Sequence, residues 1–322
     1  MWLSNSSNSS WYMFILAGIL GLEAAHNWLS IPFTCIYTVS YTGNCTILFV
    51  IGSDTSLHKP MYQFLSMLAI TNLGLSLSTT PTVMSVFWVN YREISFNACF
   101  AQLYFVHSFS FMESSVLLAM VFHHYVAICY LLRYSSILTS ARIGRIGLAA
   151  LCRCLSGMLP SLFVLRRLPV CQSYVFSRSY FLHQELIKLE RADITFSSMY
   201  ELAVVIFIVV LDPLLTVLSY IMTCKRVVSI TSQKECLKAL NNCLSHILAV
   251  LILHIPMLGF SMVHWYGKHA SSLVHTIMAN INLLVSPVLN PSIYSIETKQ
   301  ICRGILKVLM PRKSCSPWHH ST

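Results

Sequence analysis

Residues 99–129 read CFAQLYFVHSFSFMESSVLLAMVFHHYVAIC, an almost continuously apolar stretch without glycine or proline. As an α-helix it would be roughly 45 Å long, which exceeds the thickness of a bilayer's hydrocarbon core, about 30 Å. One carboxylic acid, Glu113, nevertheless lies near its middle. A charge at that depth is costly unless it faces a partner or an internal cavity. The stretch therefore predicts a membrane-spanning helix that is surrounded by other helices.

The composition of the whole chain supports a membrane protein. Of its 322 residues, 56% are hydrophobic and only 10% are charged, whereas soluble domains carry about a quarter charged residues. The formal charge of +10 does not indicate a nucleic-acid partner, because the basic residues lie between hydrophobic spans instead of forming a patch. Lipid is the expected surrounding, and no nucleic acid is expected to bind.

Seven stretches are long and apolar enough to span a bilayer. They cover residues 28–52, 60–90, 97–131, 143–166, 199–224, 239–263 and 272–296. Residues 298–310 follow with basic side chains at four-residue spacing, which predicts a short amphipathic helix on the membrane surface. The predicted fold is an all-α membrane protein, a seven-transmembrane helix bundle. Residues 1–27 form its amino-terminal segment, 28–296 the bundle and 297–322 the tail.

The distribution of Lys and Arg predicts the orientation of the bundle. These residues are in excess after spans 1, 3, 5 and 7, whereas acidic residues nearly balance them on the other side. The first side is therefore expected to be cytoplasmic and the amino terminus extracellular. Asn5 and Asn8 begin N-x-S sequences that a lumenal terminus can use for glycosylation. Asn44 also matches the pattern, but it lies inside span 1. Residues 11–22 are apolar but too short to span, and we interpret them as a weak mimic of a signal peptide.

Sequence motifs for catalysis and for metal binding are missing. The chain has no nucleotide-binding loop, no His-Glu-x-x-His and no Cys-x-x-Cys. Adjacent histidines such as His123 and His124 point apart on a helix, so they do not form a chelating pair. We expect neither an enzyme nor a cofactor or metal.

Several short motifs, in order, resemble class I (fish-like) olfactory receptors of the rhodopsin-like G-protein-coupled receptor superfamily. The resemblance covers residues 15–307, and the order and spacing of the motifs make it specific. The motifs are GLE at 21–23, GN at 43–44, LHKPMY at 57–62, MESS at 112–115, MVFHHYVAIC at 120–129, KAL at 238–240, CLSH at 243–246 and SPVLNPSIY at 286–294.

The resemblance implies a small-molecule cavity between the extracellular halves of helices 3, 5 and 6 and the second extracellular loop. The matching positions supply hydrogen-bonding groups on apolar walls, as such a cavity needs. They are His107, Ser110, Gln184, Glu201, Val205, Ser261 and Trp265. Some class I members have an arginine where this chain has Trp265, so we expect a neutral odorant instead of a carboxylic acid.

The resemblance also implies a cation site and a G-protein surface. Glu113 matches the acidic cation position of the family, whose helix 2 partner is usually Asp and is Asn72 here. A heterotrimeric G protein of the olfactory Gs type is the implied signalling partner. Its coupling residues are implied to be His123, His124, Tyr125, Tyr220, Asn290, Pro291 and Tyr294.

Two departures from the family bear on signalling and folding. His123 and His124 stand where the family has the Asp-Arg of its Asp-Arg-Tyr motif. A histidine side chain is shorter than arginine and donates fewer hydrogen bonds. Coupling to the G protein is therefore expected to be weak. Phe181 and Arg191 replace loop cysteines of the family. Cys99 and Cys171, the cysteines on the extracellular side, are predicted to pair with each other.

Two alternatives stay open beside an odorant receptor of the plasma membrane. One is a decayed receptor of the same fold that couples poorly. The other is a ligand-gated channel or a transporter, against which stand the odd number of spans and the lack of inverted repeats.

Overall fold

The computed structural model describes residues 13–16, 26–91, 93–130, 133–167, 175–176, 210–228, 244, 247–259, 262 and 272–297. Within these residues, one helix corresponds to each predicted span, so the predicted seven-helix bundle is confirmed. The helices are α1 (His26–Ser53), α2 (Pro60–Trp88), α3 (Phe96–Cys129), α4 (Ser140–Arg167), α5 (Asp212–Val228), α6 (Ile247–Gly259) and α7 (Ser272–Glu297). A 3-10 turn, Thr55–Leu57, links α1 to α2, and a one-turn helix, Tyr134–Ile137, precedes α4.

Predicted and observed boundaries agree within three residues for α1 to α4 and for α7. The described part of α5 continues past the predicted end to Val228, and residues 199–209 of that span lie outside the described residues. Helix α6 lies inside its predicted range. The predicted amphipathic helix at 298–310 also lies outside the described residues.

The first residues of α2 and α3 explain where these helices begin. Pro60 is at the first helical position of α2, where its missing N–H costs nothing. Before α3, the Ser95 hydroxyl accepts a hydrogen bond from the Ala98 N–H at 3.4 Å. Within the described residues, Trp28–Ser53 and Asn97–Cys129 are long and apolar enough to cross a membrane by composition alone.

Helix α3 is the centre of the bundle, as predicted. It packs against α2, α4 and α5, and Glu113 at its middle is 1% exposed. Its amino-terminal half joins a first apolar cluster with α1, α2 and α7. Its carboxy-terminal half joins a second apolar cluster that includes side chains of α1, α2, α6 and α7.

Hydroxyl groups connect α1 to α2, which form an antiparallel pair. The Tyr37 hydroxyl donates to Thr79 Oγ1 at 2.9 Å, and the hydroxyls of Ser40 and Ser76 lie 2.8 Å apart. Nearby, the Tyr41 hydroxyl lies 2.7 Å from that of Thr80. Because apolar side chains gain little by leaving lipid for protein, such bonds help to hold helices together in a membrane.

A three-stranded sheet, β2-β1-β3, departs from the all-α expectation. Strand β1 (Met13–Leu16) runs antiparallel to β2 (Glu93–Ser95), with Phe14 opposite Ile94. It runs parallel to β3 (Val175–Phe176). The apolar segment that we interpreted as a signal-peptide mimic thus supplies a strand between the α2–α3 connection and the α4–α5 connection.

Candidate functional site

A buried polar cluster joins α3 to α7 at the middle of the bundle. The Asn290 side-chain amide donates to Glu113 Oε1 at 2.8 Å, and the Ser286 hydroxyl donates to the same oxygen. All three side chains are about 1% exposed. The carboxyl group of Glu113 is therefore held by two donors from the SPVLNP motif of α7, which explains how a carboxylic acid is tolerated at this depth.

Asn72, the predicted partner of Glu113 in a cation site, lies beside Asn44 of α1. Its side-chain amide donates to Asn44 Oδ1 at 3.4 Å, and Asn44 donates to the Pro287 carbonyl oxygen of α7 at 3.0 Å. Asn44 is buried in α1, as expected for an unused glycosylation match. Two carboxamide oxygens, Asn72 Oδ1 and Asn290 Oδ1, are buried and have no hydrogen-bond donor among the described residues.

Gly43 allows α1 to approach α7 at Pro291. A Cβ atom added to Gly43 would lie 3.0 Å from the Cβ atom of Pro291, closer than such contacts normally are. The proline is itself buried against α1. The GN motif thus has two structural roles, since Gly43 brings the helices together and Asn44 joins them by a hydrogen bond.

Two of the seven predicted ligand-binding residues are described, His107 and Ser110, both half-buried on α3. Ser110 donates to the Val106 carbonyl oxygen of its own helix at 2.9 Å. Val106 belongs to the first apolar cluster. The remaining five predicted positions lie outside the described residues: Gln184, Glu201, Val205, Ser261 and Trp265.

At the carboxy-terminal end of α3, His123 is held by Tyr134 of the following one-turn helix. The His123 Nε2 atom lies 2.8 Å from the Tyr134 hydroxyl oxygen. Burial raises the pKa of the Tyr134 hydroxyl above its ordinary value, so at neutral pH the group is an uncharged phenol that can donate to the imidazole. The rings of Phe64 and His124 pack edge-on against His123.

Four of the other predicted coupling residues lie close to this end. His124 is 8% exposed, and Tyr220 of α5 is buried against Val121. Tyr125 is half-buried, with its ring edge-on to that of Tyr130. Tyr294 of α7 is buried in the second apolar cluster. The remaining two lie further along α7, where Asn290 donates to Glu113 of α3 and Pro291 packs against Gly43 of α1.

Cys99 does not form the predicted disulfide in this structure. Its thiol is free and fully buried, and the side chain packs into the first apolar cluster with residues such as Val86 and Leu103. Its predicted partner, Cys171, lies outside the described residues, as do the predicted glycosylation sites Asn5 and Asn8.

An ion pair between α4 and α5 was not predicted from the sequence. Arg153 Nη2 lies 3.7 Å from Asp212 Oδ1, and the aspartate is 3% exposed. The Ser114 hydroxyl of α3, next to Glu113, donates to Asp212 Oδ2 at 2.5 Å. The available signal was a cation near the middle of span 4, Arg153, and an anion near the middle of span 5, Asp212, because a membrane interior favours such charges as partners.

Comparison with known proteins agrees with this arrangement. Residues 33–312 match a family model described as olfactory receptor. The chain is 56% identical to the human protein Olfactory receptor 51Q1 over 307 residues, which cover 95% of this chain and 96% of the relative. It is 54% identical to human Olfactory receptor 51G2, with 93% and 95% coverage. With human Olfactory receptor 51L1, the identity is 49%, and the coverage is 96% and 98%.

Proposed function

Because the chain belongs to the olfactory receptor family, as a class I member of the G-protein-coupled receptor superfamily, we propose that it detects a small neutral odorant and signals weakly through a G protein of the olfactory Gs type. Family membership makes the chain an odorant receptor and a multi-pass protein of the plasma membrane that couples to a G protein. It also means that the chain is not an enzyme.

The observation that carries the proposal is that one unbroken helix, α3, holds three groups of polar residues along its length. His107 and Ser110 lie in its extracellular half, Glu113 at its middle and His123 near its cytoplasmic end. At about 1.5 Å per residue, Glu113 is roughly 9 Å along the helix from His107 and roughly 15 Å from His123. A ligand that binds the helical bundle better in one arrangement of α3 shifts the population toward that arrangement.

The proposed odorant cavity combines His107 and Ser110 with the family-implied positions Gln184, Glu201, Val205, Ser261 and Trp265. The imidazole and the hydroxyl on α3 supply hydrogen bonds to an alcohol, ketone or ester. Trp265 provides no positive charge for a carboxylate, where some class I members have an arginine. A neutral molecule with one hydrogen-bonding group is therefore the expected ligand.

A panel of matched alcohols, ketones, esters and carboxylic acids, read out by cyclic AMP in cells that express the receptor, tests this ligand class. We expect neutral members to act at lower concentration than the matching acids. His107→Phe should weaken the best response, because it removes the hydrogen-bonding ring nitrogens. Phe105→Leu, an exposed position two residues away, serves as the control. A carboxylic acid that is more potent than its matching alcohol would contradict the proposal.

We also propose a cation site at Glu113 and Asn72. A carboxyl group and the two carboxamide oxygens without donors, on Asn72 and Asn290, are oxygen ligands of the kind that hard cations prefer. Replacing sodium in the medium with a large organic cation should change the basal cyclic AMP of the wild type but not that of Glu113→Gln. Ser292→Ala, an exposed hydroxyl on α7, should keep the sodium dependence. A wild-type receptor that does not respond to sodium would exclude the site.

The amino terminus is proposed to be extracellular and glycosylated at Asn5 or Asn8. The excess of Lys and Arg on the opposite side supports this orientation. The sheet adds support, because β1 pairs with the α2–α3 and α4–α5 connections, which lie together at one end of the bundle.

A further inference from the structure

A large apolar cleft separates α5 from α6 on the side of the bundle that faces the membrane. Its volume is 830 Å³, within the range of ligand sites, about 300–1,000 Å³. Buried side chains, among them Val250 and His254, form its floor, and exposed ones, among them Ile221 and Ile255, form its rim. Among the described residues that line the cleft, Lys225 is the one with a basic aliphatic side chain.

We propose that this cleft binds one acyl chain of an anionic phospholipid of the cytoplasmic leaflet, with the headgroup phosphate on the Lys225 ammonium group. The lining of α5 runs from Pro213 to Lys225, which is about 18 Å of helix at 1.5 Å per residue. One leaflet contributes half of the hydrocarbon core, about 15 Å. The cleft is therefore about as long as one acyl chain, and its charged residue lies at the end where a headgroup would be.

Charge complementarity selects an anionic lipid over a neutral one. Lys225 is exposed, and among the described residues no acidic side chain forms an ion pair with it. The next residue, Arg226, is also exposed and adds a second positive charge. Anionic lipids concentrate in the cytoplasmic leaflet, and each nearby Lys or Arg attracts them. The inference rests on the orientation proposed above, which an independent surface-staining experiment tests.

The floor of the cleft connects this site to the signalling end of the receptor. Tyr220, one of the predicted coupling residues, lines the cleft and packs against Val121 of α3. His254 lines it from α6 and is bonded through Nδ1 to the Val250 carbonyl oxygen of its own helix at 2.8 Å. A chain between α5 and α6 would therefore set their separation next to residues that are proposed to face the G protein.

Photo-crosslinking in nanodiscs tests the site. Full-length receptor is reconstituted in nanodiscs of phosphatidylcholine. Each sample contains a trace of one probe, which is either phosphatidylserine or phosphatidylcholine with a diazirine in its acyl chain. After illumination, the labelled peptides are mapped by mass spectrometry. We expect the phosphatidylserine probe to label peptides of α5 and α6 more strongly than the phosphatidylcholine probe. Lys225→Ala should reduce that labelling about fivefold, the loss expected for one cation near an anionic surface.

Two pairs of variants separate the cleft from general lipid contact. Ile221→Trp fills the cleft and should abolish labelling, whereas Leu148→Trp, on the exposed face of α4, should not. Arg145→Ala removes an exposed cation of α4 that does not line the cleft, and it should leave labelling unchanged. Thermal unfolding identifies variants that fail to fold. If a variant fails, the comparison of the two probes on the wild-type receptor still tests whether the cleft prefers an anionic lipid. Equal labelling by both probes, or labelling of α5 and α6 by neither probe because a second receptor covers them, would overturn the proposal.

Discussion

At the scale of single residues, His123 shows how a departure from the family pattern is accommodated. Two imidazoles cannot make the charge-assisted bond of an Asp-Arg pair. The structure has instead a hydrogen bond of 2.8 Å between His123 and Tyr134. In this arrangement the carboxy-terminal end of α3 is held by a neutral bond, which contributes about 1 kcal/mol when it replaces bonds to water.

Removing this bond should raise basal signalling. We expect Tyr134→Phe to increase basal cyclic AMP by up to about fivefold, which corresponds to a loss of about 1 kcal/mol from the resting state. Surface expression is measured in parallel so that signals can be compared per receptor. Ser136→Ala, an exposed hydroxyl two residues away that donates only within its own segment, is the control. Equal basal activity in both variants would show that the bond does not stabilise the resting state.

Restoring the family's residues should strengthen coupling. The double variant His123→Asp with His124→Arg supplies a guanidinium group that reaches further and donates more hydrogen bonds than imidazole. We expect a larger ligand-evoked cyclic AMP response at matched surface expression. If the response is unchanged, these histidines do not limit coupling.

At the scale of helices, contacts between α1 and α7 depend on the small residue at position 43. Gly43→Val should lower the thermal stability of purified receptor, because even its Cβ atom would lie 3.0 Å from a rigid proline ring. Overpacking of this kind costs about 1–3 kcal/mol. Gly52→Val is the matched control on the same helix, since no atom lies within 4 Å of a Cβ atom at Gly52. Similar melting temperatures for both variants would contradict this account of the helix contact.

The ion pair between α4 and α5 is a second determinant of helix packing. Arg153→Leu leaves the buried Asp212 carboxylate without its cation, which is expected to lower stability and to reduce surface expression. Because the Arg153 side chain is 40% exposed, the loss should be smaller than that of a fully buried pair, about 3–5 kcal/mol. Arg153→Leu combined with Asp212→Leu should recover part of the loss, since no buried charge then remains unpaired. Flow cytometry of tagged receptor measures both. A double variant that expresses worse than the single one would show that each charge has a separate partner.

At the scale of the whole molecule, the distribution of charge and the sheet both bear on topology. An epitope tag before Trp2 should stain intact cells, and N-glycosidase should shift the mobility of wild-type receptor but not of Asn5→Gln with Asn8→Gln. Asn44→Gln should leave glycosylation unchanged, because Asn44 is buried inside α1. Staining that requires permeabilised cells, in a population that exports the receptor, would invert the orientation.

Seven spans, their order and the central position of α3 followed from the sequence alone. A bilayer offers no partners to backbone N–H and C=O groups, so apolar runs of sufficient length must form helices. The carboxylic acid of Glu113, in the middle of residues 99–129, then indicated that this helix is enclosed by other helices. The motifs at 43–44, 112–115 and 286–291 indicated the family from their residues and order.

Only the tertiary structure decided which polar side chains meet. Glu113 takes its donors from α7, whereas Asn72, its expected partner, lies beside Asn44. The sequence also gave no indication that residues 13–16 form a strand or that Cys99 packs into an apolar cluster as a free thiol. The physical reason is that a hydrogen bond forms only when the donor–acceptor distance is correct to within about a few tenths of an ångström. For side chains on different helices, that distance is determined by how the helices rotate and pack against each other. The spacing of residues along one helix does not predict it.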